Sequence, residues 1–240
     1  MPDYEREVFQ HCEEIEKCRQ RGGRMLSVPD LIEAGTISIL QAALFMKRIS
    51  QGGSFIVGAK PGGAGKTTVM CALLNFLPLN TGIIHTDNSA VLQSPAVKIP
   101  TCFLCHEIGA GRYYGYLWGK ELKDFFKLKE DGHIIVSNLH ADTYEEAKLQ
   151  ICRDNPVPER DFNSIDDLIF LHVESRRRHI SAIHIKTAGG HLPMNEKDLG
   201  LPELRPYVKF MENAVMKKIR LIRGFRKEAV DFLSGKFSFL

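Results

Sequence analysis

A run of small residues that ends in lysine and threonine is the stretch best suited to chemistry. Residues 60–68 read Lys-Pro-Gly-Gly-Ala-Gly-Lys-Thr-Thr and follow a short apolar run at residues 55–57. Glycines let the main chain approach an anion closely, and the start of a helix offers unpaired N–H groups with partial positive charge. In such a phosphate loop, Lys66 reaches the β- and γ-phosphates and the Thr67 hydroxyl ligates Mg²⁺. The sequence therefore predicts a site for a nucleoside triphosphate with Mg²⁺.

The predicted nucleotide-binding residues belong to the loop and to the first turn of the helix after it. They are Gly62, Gly63, Ala64, Gly65, Lys66, Thr67 and Thr68. The loop departs from the full Walker A pattern at one position, because Lys60 stands where that pattern begins with glycine. A glycine-rich turn with a chance lysine is the alternative interpretation. We favour a phosphate loop, because strand, glycines, Lys-Thr pair and apolar helix follow one another in the required order.

Three polar residues come just after the later apolar runs, each of which we predict to be a strand. They are Asp87, Glu107 and His140. In an open parallel sheet the carboxyl ends of the strands meet at the ligand crevice, so we expect these residues to approach the phosphate loop. Each also has an ordinary alternative: a solvated turn for Asp87, an acid that merely ends a strand for Glu107, and a structural histidine for His140.

A nucleotide hydrolase needs an acid near Mg²⁺ and a group that senses the γ-phosphate. Glu107 is the candidate for orienting or activating the attacking water, and with Thr67 it is a candidate Mg²⁺ ligand. Asp87 is the candidate for supporting the shell of metal-bound water. His140 is the candidate for donating to the γ-phosphate.

Short unbroken apolar strands alternate with helical patterns, which predicts an α/β fold with a mostly parallel sheet covered on both faces. Residues 166–187 alternate apolar and polar character around a turn, which predicts a β-hairpin with Arg176, Arg177 and Arg178 in solvent. Helical patterns return near the end of the chain. We therefore divide the chain into a helical extension at residues 1–37, a nucleotide-binding core at residues 38–190 and a helical region at residues 191–240.

Two local predictions concern the segments around this core. Residues 24–36, which include Pro29, are predicted to form a loop or short turns. Residues 113–130 are predicted to form one helix rich in aromatic residues.

The composition excludes several classes of protein. Hydrophobic residues make up 44% and charged residues 25% of the 240 residues, which excludes a disordered or collagen-like chain. The net charge of +3 is nearly balanced, so we expect no nucleic-acid partner. No apolar run reaches the roughly 18–20 residues of a membrane span, and the acidic, polar N-terminus is unlike a signal peptide. We therefore expect a cytoplasmic protein whose six cysteines are reduced thiols.

The segment Cys102-Phe103-Leu104-Cys105-His106 matches the pattern of c-type haem attachment. It lies in an apolar strand, however, where positions three apart point to opposite faces. We interpret the two cysteines as buried thiols. No second Cys/His pair at ligand spacing accompanies them, so the sequence does not indicate a zinc site.

The order of these motifs resembles that of the secretion ATPases of type II and type IV systems, which include pilus-assembly motors. The likeness is strongest to the tight-adherence pilus and type IV secretion branch, and it spans about residues 28–187. The segments that carry it are residues 30–38, the phosphate loop at residues 60–68, residues 86–88 as an Asp box, the pair His106-Glu107 as a Walker B motif, residues 132–143 as a His box, and the hairpin at residues 166–187.

The resemblance implies a RecA-like P-loop ATPase core that uses ATP and Mg²⁺. It also implies a homo-oligomer, normally a hexameric ring, whose subunit motions drive transport of pilin or another substrate. Membrane-associated secretion or pilus components would then be partners, and the protein would be peripheral at the inner face of the membrane.

Some positions differ from that family. Only a short stretch precedes the phosphate loop, where members usually have an N-terminal domain that supplies arginines. Only 20 residues separate Asp87 from Glu107, Gly109 occupies a position that is typically arginine, and His106 replaces a glycine. Arginine contacts to a transferring phosphoryl group are worth roughly 10³–10⁵ in rate.

Three functions therefore stay open. The first is an ATP-hydrolysing motor subunit of a secretion or pilus system. The second is a nucleotide-binding paralogue with little turnover that regulates or scaffolds a full-length motor. The third is a P-loop kinase acting on a nucleotide or small molecule.

Overall fold

The computed structural model describes residues 3–18, 23–86, 100–111, 113–195 and 201–237. Asp87 lies outside these described residues. The α-helices in them are α1 (Asp3–Lys17), α2 (Val28–Glu33), α3 (Ile39–Ser50), α4 (Lys66–Leu73), α5 (Lys120–Glu130), α6 (Tyr144–Lys148), α7 (Glu159–Phe162), α8 (Arg205–Met216) and α9 (Ile222–Leu233). The strands are β1 (Phe55–Gly58), β2 (Gly82–His85), β3 (Thr101–Ile108), β4 (Tyr116–Leu117), β5 (Ile134–Leu139), β6 (Asp167–Glu174), β7 (Arg177–Thr187) and β8 (Gly190–Pro193).

The strands form one sheet with the order β2-β3-β5-β1-β6-β7-β8, and β4 pairs with β3 off this path. The first five strands in this order run parallel, whereas β7 and β8 pair antiparallel with their neighbours. Every residue of β1, β3 and β5 is buried, and these strands are mostly apolar, as is typical of parallel strands covered on both faces. The predicted α/β fold with a mostly parallel sheet is confirmed, and so is the β6–β7 hairpin.

Each face of the sheet carries its own hydrophobic core. Cys102 belongs to one core with Phe45 of α3, and Cys105 belongs to the other core with Phe125 of α5. Both thiols are buried and unpaired, as predicted. The alternation of side chains along β3 places the two cysteines on opposite faces, so they serve packing rather than attachment of one group.

The prediction of a loop at residues 24–36 is wrong, because α2 occupies the middle of this segment. Ser27 caps the helix: its hydroxyl accepts a hydrogen bond from the Asp30 N–H, and the Asp30 carboxylate accepts one from the Ser27 N–H. This reciprocal capping box satisfies helix-terminal donors that would otherwise lack partners. Pro29 lies in the first turn, where its missing N–H costs nothing.

The predicted helix at residues 113–130 begins only at Lys120. Gly115 and Gly119 have φ angles of 73° and 63°, in the left-handed region that ends or prevents a right-handed helix. Between these two glycines, Tyr116 and Leu117 pair with the end of β3 as β4. Tyr113, Tyr114, Tyr116 and Trp118 therefore lie on a connection beside β3, whereas Phe125 and Phe126 lie on α5.

The terminal helices pack together on one side of the sheet. Arg226 of α9 is fully buried and donates hydrogen bonds to the carbonyl oxygens of Asn75 and Leu77, just after α4. Tyr4 of α1 donates to the Asp231 carboxylate at 2.8 Å. The segment after α4 is thus held by α9, and α9 is in turn bonded to α1. Within the described ranges, the helices are too short or too polar to cross a bilayer.

Candidate nucleotide-binding site

The phosphate loop connects the end of β1 to the start of α4. Gly63 and Gly65 have φ angles of 80° and 97°, which a residue with a side chain rarely adopts. Gly65 is the N-cap of α4 and, as a glycine, has no side chain that could cap the first turn of this helix. The first N–H groups of a helix have no partner within it, so the loop presents main-chain donors to its surroundings.

The loop borders a cleft with a volume of about 360 Å³, which is within the range of small-molecule sites. All seven residues at 62–68 line this cleft, together with Glu107 and His140. The structure thus brings two of the three predicted catalytic residues to the phosphate loop. Further lining comes from Cys18, Arg24, Met25, Leu26 and Tyr116.

The strand order explains why Glu107 and His140 meet at the loop. β5 lies between β1 and β3, so Leu139 is in register with both Gly58 and Ile108. The Ala59 N–H continues this pairing by donating to the Leu139 carbonyl oxygen at 3.0 Å. His140 is the next residue along the chain, so it must lie between the loop and the end of β3.

Lys66, Glu107 and His140 form a compact charged group. Lys66 Nζ donates to the Ala59 carbonyl oxygen at 2.9 Å and lies 3.9 Å from a Glu107 carboxylate oxygen. His140 Nδ1 is 3.4 Å from Lys66 Nζ, and its Nε2 is 3.7 Å from Glu107 Oε1. Three residues that are far apart in the sequence therefore surround one small volume beside the helix start.

Burial shifts the pKa values of the lysine and the glutamate in opposite directions. Desolvation lowers the pKa of Lys66, an effect that the charge of Glu107 partly offsets. Desolvation raises the pKa of Glu107, and the charges of Lys66 and His140 act against that rise. Glu107 Oε1 is buried and has no hydrogen-bond partner among the described residues. This oxygen is suited to accept a proton or to meet a cation.

Asn138 is a functional candidate that the sequence did not indicate. It is fully buried in β5, and its Nδ2 donates to the Thr67 hydroxyl at 3.2 Å and to the His106 carbonyl oxygen at 2.9 Å. The amide therefore orients Thr67 and links it to β3. The one available signal was a polar amide inside an apolar strand.

Lys60, the residue that replaces the first glycine of the pattern, is directed toward α6. Its ammonium pairs with the Glu146 carboxylate, and its N–H donates to Asp142 Oδ1 at 2.7 Å. The lysine is exposed and does not line the cleft. The substitution therefore leaves the phosphate-facing part of the loop unobstructed.

The hairpin tip also contacts the loop. Arg176, Arg177 and Arg178 are exposed, as predicted. Arg178 nevertheless donates from Nε to the Gly63 carbonyl oxygen at 3.2 Å. A sequence pattern cannot show this contact, because 115 residues separate the two positions.

No family model matches the sequence, and no curated protein matches it. Two solved structures similar to this chain are ATPases. The VirB11 ATPase of the Brucella suis type IV secretion system, solved in complex with sulphate, is 21% identical with a TM-score of 0.48, over 65% of this chain and 54% of that chain. The Legionella pneumophila ATPase DotB is 12% identical with a TM-score of 0.44, over 81% of this chain and 60% of that chain. Each alignment thus covers less than two thirds of the solved ATPase to which this chain is compared.

Proposed function

We propose that this chain binds Mg·ATP in the cleft beside residues 62–68 and hydrolyses it as a motor subunit of a secretion or pilus system. The observation that carries the proposal is the convergence of Lys66, Glu107 and His140 at the start of α4. In a glycine-rich turn without function, we would not expect a buried acid and a histidine that each lie within 4 Å of the lysine of the turn.

Each side chain has a distinct task toward the nucleotide. The main-chain N–H groups of the loop and the Lys66 ammonium bind the β- and γ-phosphates, which replace the Ala59 carbonyl as partners of the ammonium. His140 donates to the γ-phosphate. Glu107 takes a proton from the attacking water, because its buried carboxylate has a raised pKa and an oxygen without a partner.

The residues present fit Mg²⁺. The Thr67 hydroxyl and the Glu107 carboxylate provide oxygen atoms, the ligands that Mg²⁺ prefers, and both residues line the cleft. When bound, Mg²⁺ neutralises charge that develops on the transferred phosphoryl group. Asn138 keeps the Thr67 hydroxyl at this edge of the cleft. Asp87 is proposed to support the metal-bound water, on the basis of its sequence position alone.

The motor role rests on the ordered motifs between residues 30 and 187, which resemble those of secretion ATPases. On this proposal the chain works as a homo-oligomer, with a hexameric ring as the expected assembly. Its partners are membrane-associated secretion or pilus components at the cytoplasmic face of the membrane.

A nucleotide-binding subunit with little turnover is the second candidate, and the state of the arginines favours it. Arg24 lines the cleft, but its two terminal nitrogens donate to the Asp30 carboxylate at 2.5 and 2.7 Å. Arg178 is bonded to the loop itself. Phosphoryl transfer is slow without an arginine near the γ-phosphate. Rapid turnover would therefore need a rearrangement of these arginines or an arginine from a neighbouring subunit.

Calorimetric titration with Mg·ATP tests the binding site. We expect the wild-type chain to bind and Lys66→Ala to bind at least about tenfold more weakly. A tenfold loss of affinity corresponds to the loss of only about 1.4 kcal/mol of binding free energy. Lys60→Ala is the matched control, because this lysine belongs to the same loop but pairs with Glu146. Equal affinities for wild type and Lys66→Ala would contradict the proposal. Phosphate release by the wild-type chain then separates the motor from the subunit with little turnover.

A further inference from the structure

A second group of reactive side chains lies at the ends of β2 and β3. Cys18 directly follows α1, His85 is the last residue of β2, and His106 lies within β3. One ligand atom of each residue lies within 4.8 Å of the other two, and His85 Nδ1 is 3.0 Å from His106 Nε2. Three segments that are distant in the sequence thus direct one sulfur and two imidazole nitrogens at a common point.

We propose that Cys18, His85 and His106 form a zinc site. Thiolate sulfur and imidazole nitrogen are the donors that Zn²⁺ prefers, with bonds of about 2.3 Å to sulfur and about 2.0–2.1 Å to nitrogen. Tetrahedral coordination with such bonds needs ligand atoms about 3.3–3.6 Å apart. The two imidazole nitrogens are hydrogen-bonded to each other at 3.0 Å, so a zinc ion would replace the proton between them with only a small change in their separation. The fourth position is left for water or another ligand.

The surroundings of His85 match those of a metal ligand. Its Nε2 lies 3.1 Å from the Glu14 carbonyl oxygen and 3.7 Å from the Glu14 carboxylate. Because a carbonyl only accepts, Nε2 carries the proton, and Nδ1 keeps a lone pair that faces His106 and Cys18. Metal-bound histidines typically donate their other N–H to a carbonyl or carboxylate in this way.

The cluster is also shielded and held in place. Cys18 is fully buried, and His106 is only 5% exposed. The His106 ring packs against Gly115, where a Cβ atom would lie 2.4 Å from its Cδ2, and its centroid is 5.5 Å from that of Tyr114. Shielding from water strengthens coordination and limits competition by solvent. A methyl group at residue 115 would therefore force this ring to shift.

The position of the site suggests what the metal does. Cys18 also lines the nucleotide cleft, and His106 directly precedes Glu107. A bound Zn²⁺ would therefore tie the end of α1 to the strand that carries the proposed catalytic carboxylate. The three ligands are not the residues proposed to hold ATP, so either proposal can fail without the other.

Cobalt titration of the 240-residue chain, first stripped of metal with a chelator, tests the site. We expect one equivalent of CoCl₂ to bind with a thiolate-to-cobalt charge-transfer band, ZnCl₂ to bleach that band, and ZnCl₂ alone to raise the melting temperature. Cys18→Ser should abolish the band, and His85→Gln and His106→Gln should each weaken cobalt binding at least about tenfold.

Two control variants separate this site from other thiols and imidazoles. Cys152→Ser removes the half-buried thiol near α7, and His133→Gln removes a histidine just before β5; both should keep the band. A band that survives in Cys18→Ser overturns the proposal. So does a wild-type chain that binds neither cobalt nor zinc, and this result does not depend on how the variants fold.

Discussion

Arg178 Nε donates a hydrogen bond to the main-chain carbonyl oxygen of Gly63 at 3.2 Å, which places the tip of the β6–β7 hairpin against the phosphate loop. A guanidinium has five N–H donors, so this one bond leaves others for a phosphate. The exposed position of Arg178 lets it turn from a neutral carbonyl to a charged phosphate oxygen, which is the stronger acceptor.

Arg178→Ala should therefore weaken Mg·ATP binding by about tenfold, because a hydrogen bond to a charged group contributes about 1.5–3 kcal/mol and exposure reduces that value. Arg177→Ala is the matched control, since it removes the neighbouring exposed charge. Calorimetric titration of both variants measures the difference. Equal losses in the two variants would indicate a general effect of charge rather than a contact of Arg178 with the nucleotide.

Glu107→Gln should keep nucleotide binding and lower phosphate release by about 10²-fold or more, which is the usual contribution of a general base. The amide retains the shape of the side chain but cannot take a proton. Glu146→Gln is a suitable control, because Glu146 is a partly exposed carboxylate that pairs with Lys60. Normal turnover in Glu107→Gln would exclude this residue from the reaction.

The pH dependence of turnover provides a separate check on Glu107. Burial raises the pKa of its carboxyl above the ordinary value of 4.5, and the proposed reaction needs the ionised form. Turnover of the wild-type chain should thus fall as the pH decreases. The fall should begin at a higher pH than it would if the base were an exposed glutamate with an ordinary pKa. A pH profile of phosphate release measures this decrease. It should be recorded over the pH range in which circular dichroism shows that the chain is folded.

Gly115→Ala should destabilise the chain more than Gly35→Ala. Both glycines have positive φ, which costs an alanine about 1–2 kcal/mol. At Gly115 the new Cβ would meet the ring of His106, at 2.4 Å, whereas no described residue has an atom within 4 Å of a Cβ at Gly35. Crowding in a packed region adds about 1–3 kcal/mol, so the free energies of unfolding from urea titrations should differ by that amount. Equal values would mean that His106 moves aside freely.

Asp167 should make stability depend on pH. It is fully buried beside Arg48, its Oδ2 has no partner among the described residues, and desolvation raises its pKa from 3.8 to about 6. A raised pKa in the folded state means that the native chain holds the proton more tightly than the unfolded chain. This contribution to stability is present below pH 3.8 and is lost as the pH rises through about 6.

The comparison with Asp167→Asn measures this effect. Relative to the variant, the free energy of unfolding of the wild-type chain should fall by up to about 3 kcal/mol across that interval. Asp154→Asn, which removes an exposed carboxylate beside Arg153, should show no such difference. A constant difference between wild type and Asp167→Asn at all pH values would assign Asp167 an ordinary pKa.

Contiguous features were predictable because neighbouring residues encode them. The glycine-rich turn between β1 and α4, the apolar strands and the β6–β7 hairpin all follow from local residue types and spacing. The predictions that were wrong also have local causes. The capping box at Ser27 makes a helix where a loop was expected, and the positive φ of Gly115 removes the start of a predicted helix.

The sequence by itself determined that a glycine-rich turn lies between a buried strand and a helix, because those residues interact with their near neighbours. Only the tertiary structure decided which distant groups meet there. The position of β5 between β1 and β3 brings His140 to Glu107, and the fold of the hairpin brings Arg178 to Gly63. The proximity of Cys18 to two histidines likewise depends on how α1 packs against β2. Contacts between segments that are distant in the sequence produce no local pattern of residues from which they could be predicted.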